Sequence, residues 1–199
     1  MKRLVILISD GGTGSNLQAV IDAITKNTLK AKIIGVISDK DTAKGLKRAK
    51  QANITTILCR TKMELFPLLQ EYNPDYIVLA GWRQIITDEV IDGFQNKILN
   101  LHPGIIPDSI EGKAKNPDGS EALWNKGMFT DIAIKNFLDQ KATYAGSSIH
   151  YLTHEFDFGP VLGRTFEKIQ SNDTIETLYK RLKKKENQLY VEVLQKLCN

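Results

Sequence analysis

Cysteine is scarce in this chain of 199 residues, and its two cysteines, Cys59 and Cys198, show no metal-ligand spacing. They predict reduced thiols in a cytosolic protein, and they exclude a disulfide framework. No apolar run approaches the roughly 20 residues that a membrane span needs, and the N-terminus lacks the pattern of a signal peptide. We therefore expect a cytoplasmic protein with no membrane partner.

The excess of positive over negative charge is also small. The net charge is +4, with a pI near 8.9, which suits an anionic small molecule as well as nucleic acid. The run Lys183-Lys184-Lys185 favours a solvated helix face, so we expect no nucleic-acid partner. The apolar fraction of 42% and the charged fraction of 25% are ordinary for a globular protein. We predict one domain over residues 1–199, with a first half over 1–102 and a second half over 103–199.

Short apolar runs alternate with amphipathic stretches along the first half. Strands are predicted over 4–8, 33–37, 55–59, 76–80 and 98–102, with helices between them. This alternation indicates βαβ units. After residue 107 two strands, 144–152 and 161–169, are expected to be antiparallel. The predicted fold class is thus α/β, a doubly wound and mostly parallel central sheet with antiparallel C-terminal strands.

Three helices are predicted in more detail. Pro67 should lie near the first turn of its helix. A second helix should cover 123–138, interrupted near Gly127 and recapped at Thr130, and a third should start at about Thr174. The apolar stripe of this last helix includes Glu186, and a carboxylate there is costly unless it is paired or faces a ligand. A salt bridge to Arg181 or a lysine is the alternative to a ligand.

A glycine-rich turn follows the first strand, over residues 9–16. Ser15 and Gln18 have the capping-box form, and backbone N–H groups at a helix start suit a phosphate. A plain tight turn is the alternative. No P-loop lysine is present, and the dinucleotide fingerprint would place Leu17 where a small residue is needed. Asp39 after the second strand keeps NAD binding open as a minor option.

An amide and an imidazole meet at the end of the fifth predicted strand. Asn100 and His102 point to the same side of that strand, and Pro103 ends it. An amide donor beside a group that titrates near neutrality suits acyl-type chemistry. The alternative is a buried pair that satisfies loop backbone.

With these motifs placed, the chain resembles the phosphoribosylglycinamide formyltransferase (GAR transformylase) family, within the folate-dependent formyltransferase superfamily. The resemblance covers most of the chain, through five motifs in the same order. They are Gly14-Ser15-Asn16-Leu17-Gln18-Ala19, Leu79-Ala80-Gly81-Trp82, Asn100-Leu101-His102-Pro103, Gly146-Ser147-Ser148-Ile149-His150 and Asp157-x-Gly159-Pro160-Val161.

This resemblance implies formyl transfer from 10-formyltetrahydrofolate, as co-substrate, to the amine of phosphoribosylglycinamide in de novo purine biosynthesis. It implies no metal, and the chain has no His/Cys cluster to bind one. The small-molecule substrates would be the only partners of a monomer or homodimer. The implied catalytic residues are Asn100, His102 and Asp157. The phosphate and ribose would be bound by Gly14, Ser15, Asn16 and Glu186, and the folate by Arg83, Gln84, Ile85, Ile86, Asn100, Thr153, His154, Glu155, Phe156 and Asp157.

The chain departs from the family pattern at four places. Segment 108–143 is enlarged and lacks the usual Gly-x-His-rich stretch, so we hypothesise that it reshapes the substrate entrance or an oligomer contact. Arg83-Gln84 replaces Met-Arg, the phosphate turn has extra residues over 10–13, and His154 replaces an acid. Two other functions stay open. One is hydrolysis of formyltetrahydrofolate or formyl transfer to another amine, and the other is a non-catalytic phosphate- or nucleotide-binding module.

Overall fold

A computed structural model describes residues 1–199. Seven strands form one mixed sheet in the order β3-β2-β1-β4-β5-β6-β7. The strands are β1 Lys2–Ile8, β2 Ala31–Ser38, β3 Thr56–Leu58, β4 Tyr76–Leu79, β5 Ile98–His102, β6 Tyr144–Tyr151 and β7 Val161–Lys168. The helices are α1 Ser15–Thr25, α2 Lys44–Gln51, α3 Lys62–Tyr72, α4 Asp88–Gly93, α5 Thr130–Asp139 and α6 Ile175–Cys198.

The pairing of the strands confirms the predicted fold class. β1 pairs in parallel with β2 and β4, β2 with β3, and β4 with β5. β6 pairs antiparallel with β7, so that Ser148 lies opposite Arg164. The apolar runs form parallel strands because parallel sheets are covered on both faces.

The chain forms two compact units. Unit 1 consists of residues 1–100 and 190–199, and unit 2 consists of residues 101–189. In unit 1, residues 4–8 of β1 are fully buried. Tyr190, also buried there, donates its hydroxyl proton to the Leu79 carbonyl over 2.6 Å. The core of unit 2 includes a cluster of buried apolar side chains from α5, β6 and α6, namely Ile134, Phe137, Ala145, Leu178 and Leu182.

One helix prediction is wrong and another holds only in part. Pro67 lies inside α3, which begins at Lys62, and not near its first turn. Of the helix predicted over 123–138, only the part after the interruption is present, as α5, Thr130–Asp139. Residues 123–125 are not helical, because their backbone bonds to another segment: the Leu123 carbonyl accepts from the Ile105 N–H over 2.9 Å. No helix combines the length and the apolar composition that a bilayer crossing requires.

Candidate active site

The end of β5 presents the predicted amide and imidazole. Asn100 and His102 are two residues apart on this strand, so their side chains leave it on the same side. His102 is 1% exposed. A buried imidazole needs hydrogen-bond partners for its ring nitrogens, and unit 2 supplies an acceptor to each.

Asp157 is the partner of one ring nitrogen. Its Oδ1 lies 3.6 Å from Nδ1 of His102. Its other oxygen, Oδ2, accepts from the Gly127 N–H over 2.7 Å. Burial raises the pKa of Asp157, but the contact and charge of His102 and the Gly127 N–H outweigh burial, and the pKa lies below its ordinary value. The structure therefore brings an ionised carboxylate to the histidine that the sequence placed with it.

Trp124 supplies the partner of the other ring nitrogen. Nε2 of His102 donates to the Trp124 main-chain carbonyl over 2.6 Å. Because a carbonyl only accepts, this contact requires the proton on Nε2. Trp124 could not be identified from the sequence, since a main-chain carbonyl has no residue signature. The one available hint was Gly104, where any Cβ would collide with the Trp124 carbonyl oxygen.

The glycine-rich turn lies in unit 1 and differs in detail from the prediction. Gly14 is the N-cap of α1, with φ of 72°, and no side chain caps the helix. Ser15 is the first helical residue, so the predicted capping box is wrong. The side-chain oxygens of Ser15 and Asn16 are buried without a hydrogen-bond partner. Such groups at a helix start suit a ligand that donates and accepts hydrogen bonds.

Two arginines of unit 1 border this turn. Arg48 donates from Nε to the Thr13 carbonyl over 3.1 Å. The Arg83 guanidinium covers Gly11 so closely that a Cβ there would collide with it. The Arg83 N–H also donates to Ser9 over 3.0 Å. Positive charge therefore surrounds the turn that was predicted to hold a phosphate.

Glu186 is buried in unit 2, as its position in the apolar stripe predicted. Ser147 donates to its Oε1 over 2.7 Å, and the Lys183 ammonium lies 3.1 Å from its Oε2. Burial lowers the pKa of Lys183, but the Glu186 carboxylate outweighs burial, and the pKa lies above its ordinary value. The lysine pairing matches one of the alternatives drawn from the sequence, and the ribose contact stays a prediction.

The segments predicted to bind folate are loops, each within its own unit. Over 83–86 of unit 1, Ile86 is buried and Ile85 is exposed. Over 153–157 of unit 2, Thr153 closes the loop by donating to the Phe158 carbonyl over 2.8 Å. Phe156 is 61% exposed, which leaves an apolar surface for a ring system. Lys126 pairs with Glu155 over 3.3 Å.

His150 is a second buried histidine of unit 2. It is fully buried on β6, with Nδ1 3.0 Å from the Tyr151 carbonyl. Burial, with a smaller contribution from the charge of His102, lowers its pKa to about 4. A neutral His150 thus lies in the same unit as His102. No group of three or more His, Cys, Asp or Glu side chains is arranged to hold a metal ion.

Comparison with known proteins places the chain among formyl transferases. The sequence profile of the formyl transferase family matches residues 2–194. Phosphoribosylglycinamide formyltransferase of Escherichia coli is 31% identical over 96% of this chain and 84% of its own. The chloroplastic enzyme of that name from Arabidopsis thaliana is 27% identical over 99% of this chain, which spans 65% of the plant protein.

Solved structures agree with this placement. Glycinamide ribonucleotide transformylase 1 from Symbiobacterium toebii has a TM-score of 0.82 at 28% identity, covering 98% of this chain and 86% of its own. A formyltetrahydrofolate deformylase from Pseudomonas syringae has a TM-score of 0.79 at 18% identity, over 98% of this chain and 60% of its own. That second likeness concerns the fold alone.

Proposed function

The chain belongs to the formyl transferase family, and from this premise we propose that it transfers a formyl group from 10-formyltetrahydrofolate to the amine of phosphoribosylglycinamide, a step of de novo purine biosynthesis. The observation that carries the proposal is the contact between Nδ1 of His102 and Oδ1 of Asp157, which are 3.6 Å apart. His102 lies on β5, the strand that also bears Asn100. This contact supports the proposal because the family resemblance assigns the chemistry to these residues.

The reaction needs a stabilised anion. When the amine attacks the formyl carbon, negative charge develops on the formyl oxygen and positive charge on the nitrogen. Asn100 donates a hydrogen bond to that oxygen, and a preorganised donor of this kind is worth about 3 kcal/mol. The His102 ring lies on the same side of the strand, and the Asp157 carboxylate orients it. Asp157 also organises the water that removes the amine proton.

The residues proposed to bind the substrates are divided between the two units. In unit 1, the turn with Gly14, Ser15 and Asn16 holds the phosphate, supported by the arginines at its border. In unit 2, Glu186 binds the ribose hydroxyls. The folate is held by Arg83, Gln84, Ile85 and Ile86 of unit 1, and by Asn100 with Thr153, His154, Glu155, Phe156 and Asp157. Exposed apolar side chains on both loops fit a flat ring, and no metal takes part.

The experiment is an assay of tetrahydrofolate release with purified protein, 10-formyltetrahydrofolate and the ribonucleotide. Release should require both substrates. Asn100→Ala, His102→Ala and Asp157→Asn should each lower kcat on the order of 10²- to 10³-fold while circular dichroism shows a folded protein. Lys135→Ala on the exposed face of α5 is the control and should keep full activity.

Other outcomes point to the alternatives. Release of tetrahydrofolate without the ribonucleotide would indicate the hydrolase, and release only with a different amine would indicate another acceptor. Binding of the ribonucleotide by a folded protein that never turns over would indicate a phosphate-binding module. We further propose that the protein is cytoplasmic, that it is a monomer or homodimer, and that its partners are small molecules only. Sedimentation of the purified protein would check the oligomeric state.

A further inference from the structure

Residues 124–127 form a turn that contacts both members of the His102–Asp157 pair. They belong to segment 108–143, for which the sequence predicts a departure from the family pattern. Trp124, Asn125, Lys126 and Gly127 carry no catalytic signature in the sequence. The structure nevertheless gives three of these four residues hydrogen bonds to the pair or to its flanking backbone.

The turn fixes the His102 ring from one side. The Trp124 carbonyl accepts from Nε2 over 2.6 Å, a short distance for this type of bond. It can approach so closely because Gly104 has no Cβ, which would otherwise occupy the position of this oxygen. Beside it, the Leu123 carbonyl accepts from the Ile105 N–H over 2.9 Å. The ring is therefore held by a segment bonded to the chain just after β5.

The same turn fixes Asp157 at two points. The Gly127 N–H donates to Oδ2 of Asp157 over 2.7 Å. The Trp124 indole N–H donates to the main-chain carbonyl of Asp157 over 3.0 Å. Asp157 has a φ of 50°, a left-handed conformation that needs support from its surroundings. The two bonds orient the carboxylate so that its other oxygen, Oδ1, faces His102.

The turn is itself anchored through Asn125. This side chain is buried, donates to the Pro103 carbonyl over 2.9 Å and accepts from Asn136 of α5 over 2.9 Å. The backbone φ values of 56° at Asn125 and 79° at Gly127 set the tight reversal. Asn125 thus ties the turn both to the loop after β5 and to a helix.

We propose that the 124–127 turn is a positioning element for the catalytic pair, in which Trp124, Asn125 and Gly127 are positioning residues. The turn holds His102 with a proton on Nε2 and directs Asp157 toward Nδ1, so that the ring keeps a fixed orientation. The consequence for activity rests on the proposed function. The consequence for the state of His102 does not, because it follows from the hydrogen bonds alone.

The test combines imidazole NMR with kinetics. The chain has three histidines, so 15N-histidine labelling gives few signals, and His102→Asn assigns those of His102. The wild-type protein should show a slowly exchanging Nε2–H proton. Asn125→Gly removes both side-chain bonds but allows the positive φ. It should speed this exchange at least tenfold, and it should lower kcat on the order of a hundredfold, as misplacement of a catalytic group does, with KM within about twofold.

Trp124→Phe is a second variant in case the first fails to fold. It keeps a ring against Phe158, 5.8 Å away between centroids, but removes the indole donor. It should lower kcat about tenfold, again with little change of KM. The matched control is Lys126→Ala in the same turn, whose side chain contacts only Glu155 and the indole face. The control should leave kcat and the Nε2–H signal unchanged.

Two results would overturn the proposal. One is an increase of kcat in Asn125→Gly, which would mean that the turn obstructs His102. The other is an unchanged Nε2–H exchange rate and kcat in both variants. If the wild-type protein transfers no formyl group, the NMR comparison still decides whether the turn fixes the ring, so the two failures are distinguishable.

Discussion

The two units bury different kinds of side chain. Unit 1 is filled mainly by apolar residues of its parallel strands, such as Leu4, Ile6 and Leu7 of β1. Unit 2 also buries a larger polar set, namely His102, Asn116, Asn125, Ser147, Ser148, His150 and Glu186. Buried polar groups are costly unless they are hydrogen-bonded. The comparison teaches that unit 1 depends on apolar burial, whereas unit 2 depends also on a set of satisfied polar contacts.

Leu7→Ala tests the apolar side of the comparison and should have the largest effect. Leu7 is fully buried in β1, so the loss of methyl groups and the resulting cavity should lower the free energy of unfolding by about 2–5 kcal/mol. Urea denaturation measures this. The kcat per folded molecule should be unchanged. A loss of stability below about 1 kcal/mol would contradict the role assigned to unit 1.

His150 tests the polar side through pH. Its pKa is lowered from 6.5 to about 4, so only the unfolded chain takes up this proton between these values. Stability is then complete above pH 6.5 and falls as the pH falls, by on the order of 3 kcal/mol below pH 4. Urea unfolding from pH 7 to 4 should show a flatter profile for His150→Gln. Parallel profiles for the two proteins would refute this assignment.

Ser147→Ala should have a smaller effect. It leaves Oε1 of buried Glu186 without its donor, and an unsatisfied buried group costs about 1–3 kcal/mol. The exposed Ser171→Ala is the matched control and should change the unfolding midpoint very little. Equal midpoints for both variants would show that the buried contact adds no stability to unit 2.

Lys135→Ala should have the smallest effect on stability, because it removes an exposed contact and not a buried one. Lys135 pairs with Asp139 one turn along the exposed face of α5. Pairs of this kind are worth about 0.3–0.5 kcal/mol. A double-mutant cycle with Asp139→Ala, at low and high salt, measures the coupling. A coupling above 1 kcal/mol would mean that exposed pairs matter as much here as buried ones.

The sequence predicted the regular part of the fold well because apolar runs report burial directly. The predicted bounds of β5 match those observed, and the other strands differ by one or two residues at their ends. The failures lie where distant segments decide the local structure. Residues 123–128 have helical periodicity, but bonds to Ile105 and His102 and the left-handed backbone at Asn125 and Gly127 replace the helix with a turn. The N-cap of α1 is Gly14 and not Ser15, because the backbone conformation of the turn, and not a side-chain bond, sets where the helix begins.

The candidate site was predictable to the same extent. His102 and Asp157 were named through family motifs, and the structure brings them together. The acceptor on Nε2 was not predictable, since every residue has a carbonyl and only the tertiary structure selects the one at Trp124. Glu186 was correctly placed in the interior, but its pairing with Ser147 joins two segments that no local pattern links.

Gly104 has a consequence for the exchange of parts between relatives. Because the Trp124 oxygen occupies the space of a side chain at position 104, the two sites form one compatible set. A chimaera that receives segment 108–143 from this chain must also receive its glycine. Conversely, introducing a serine or alanine at that position in this chain requires a different backbone path after Leu123.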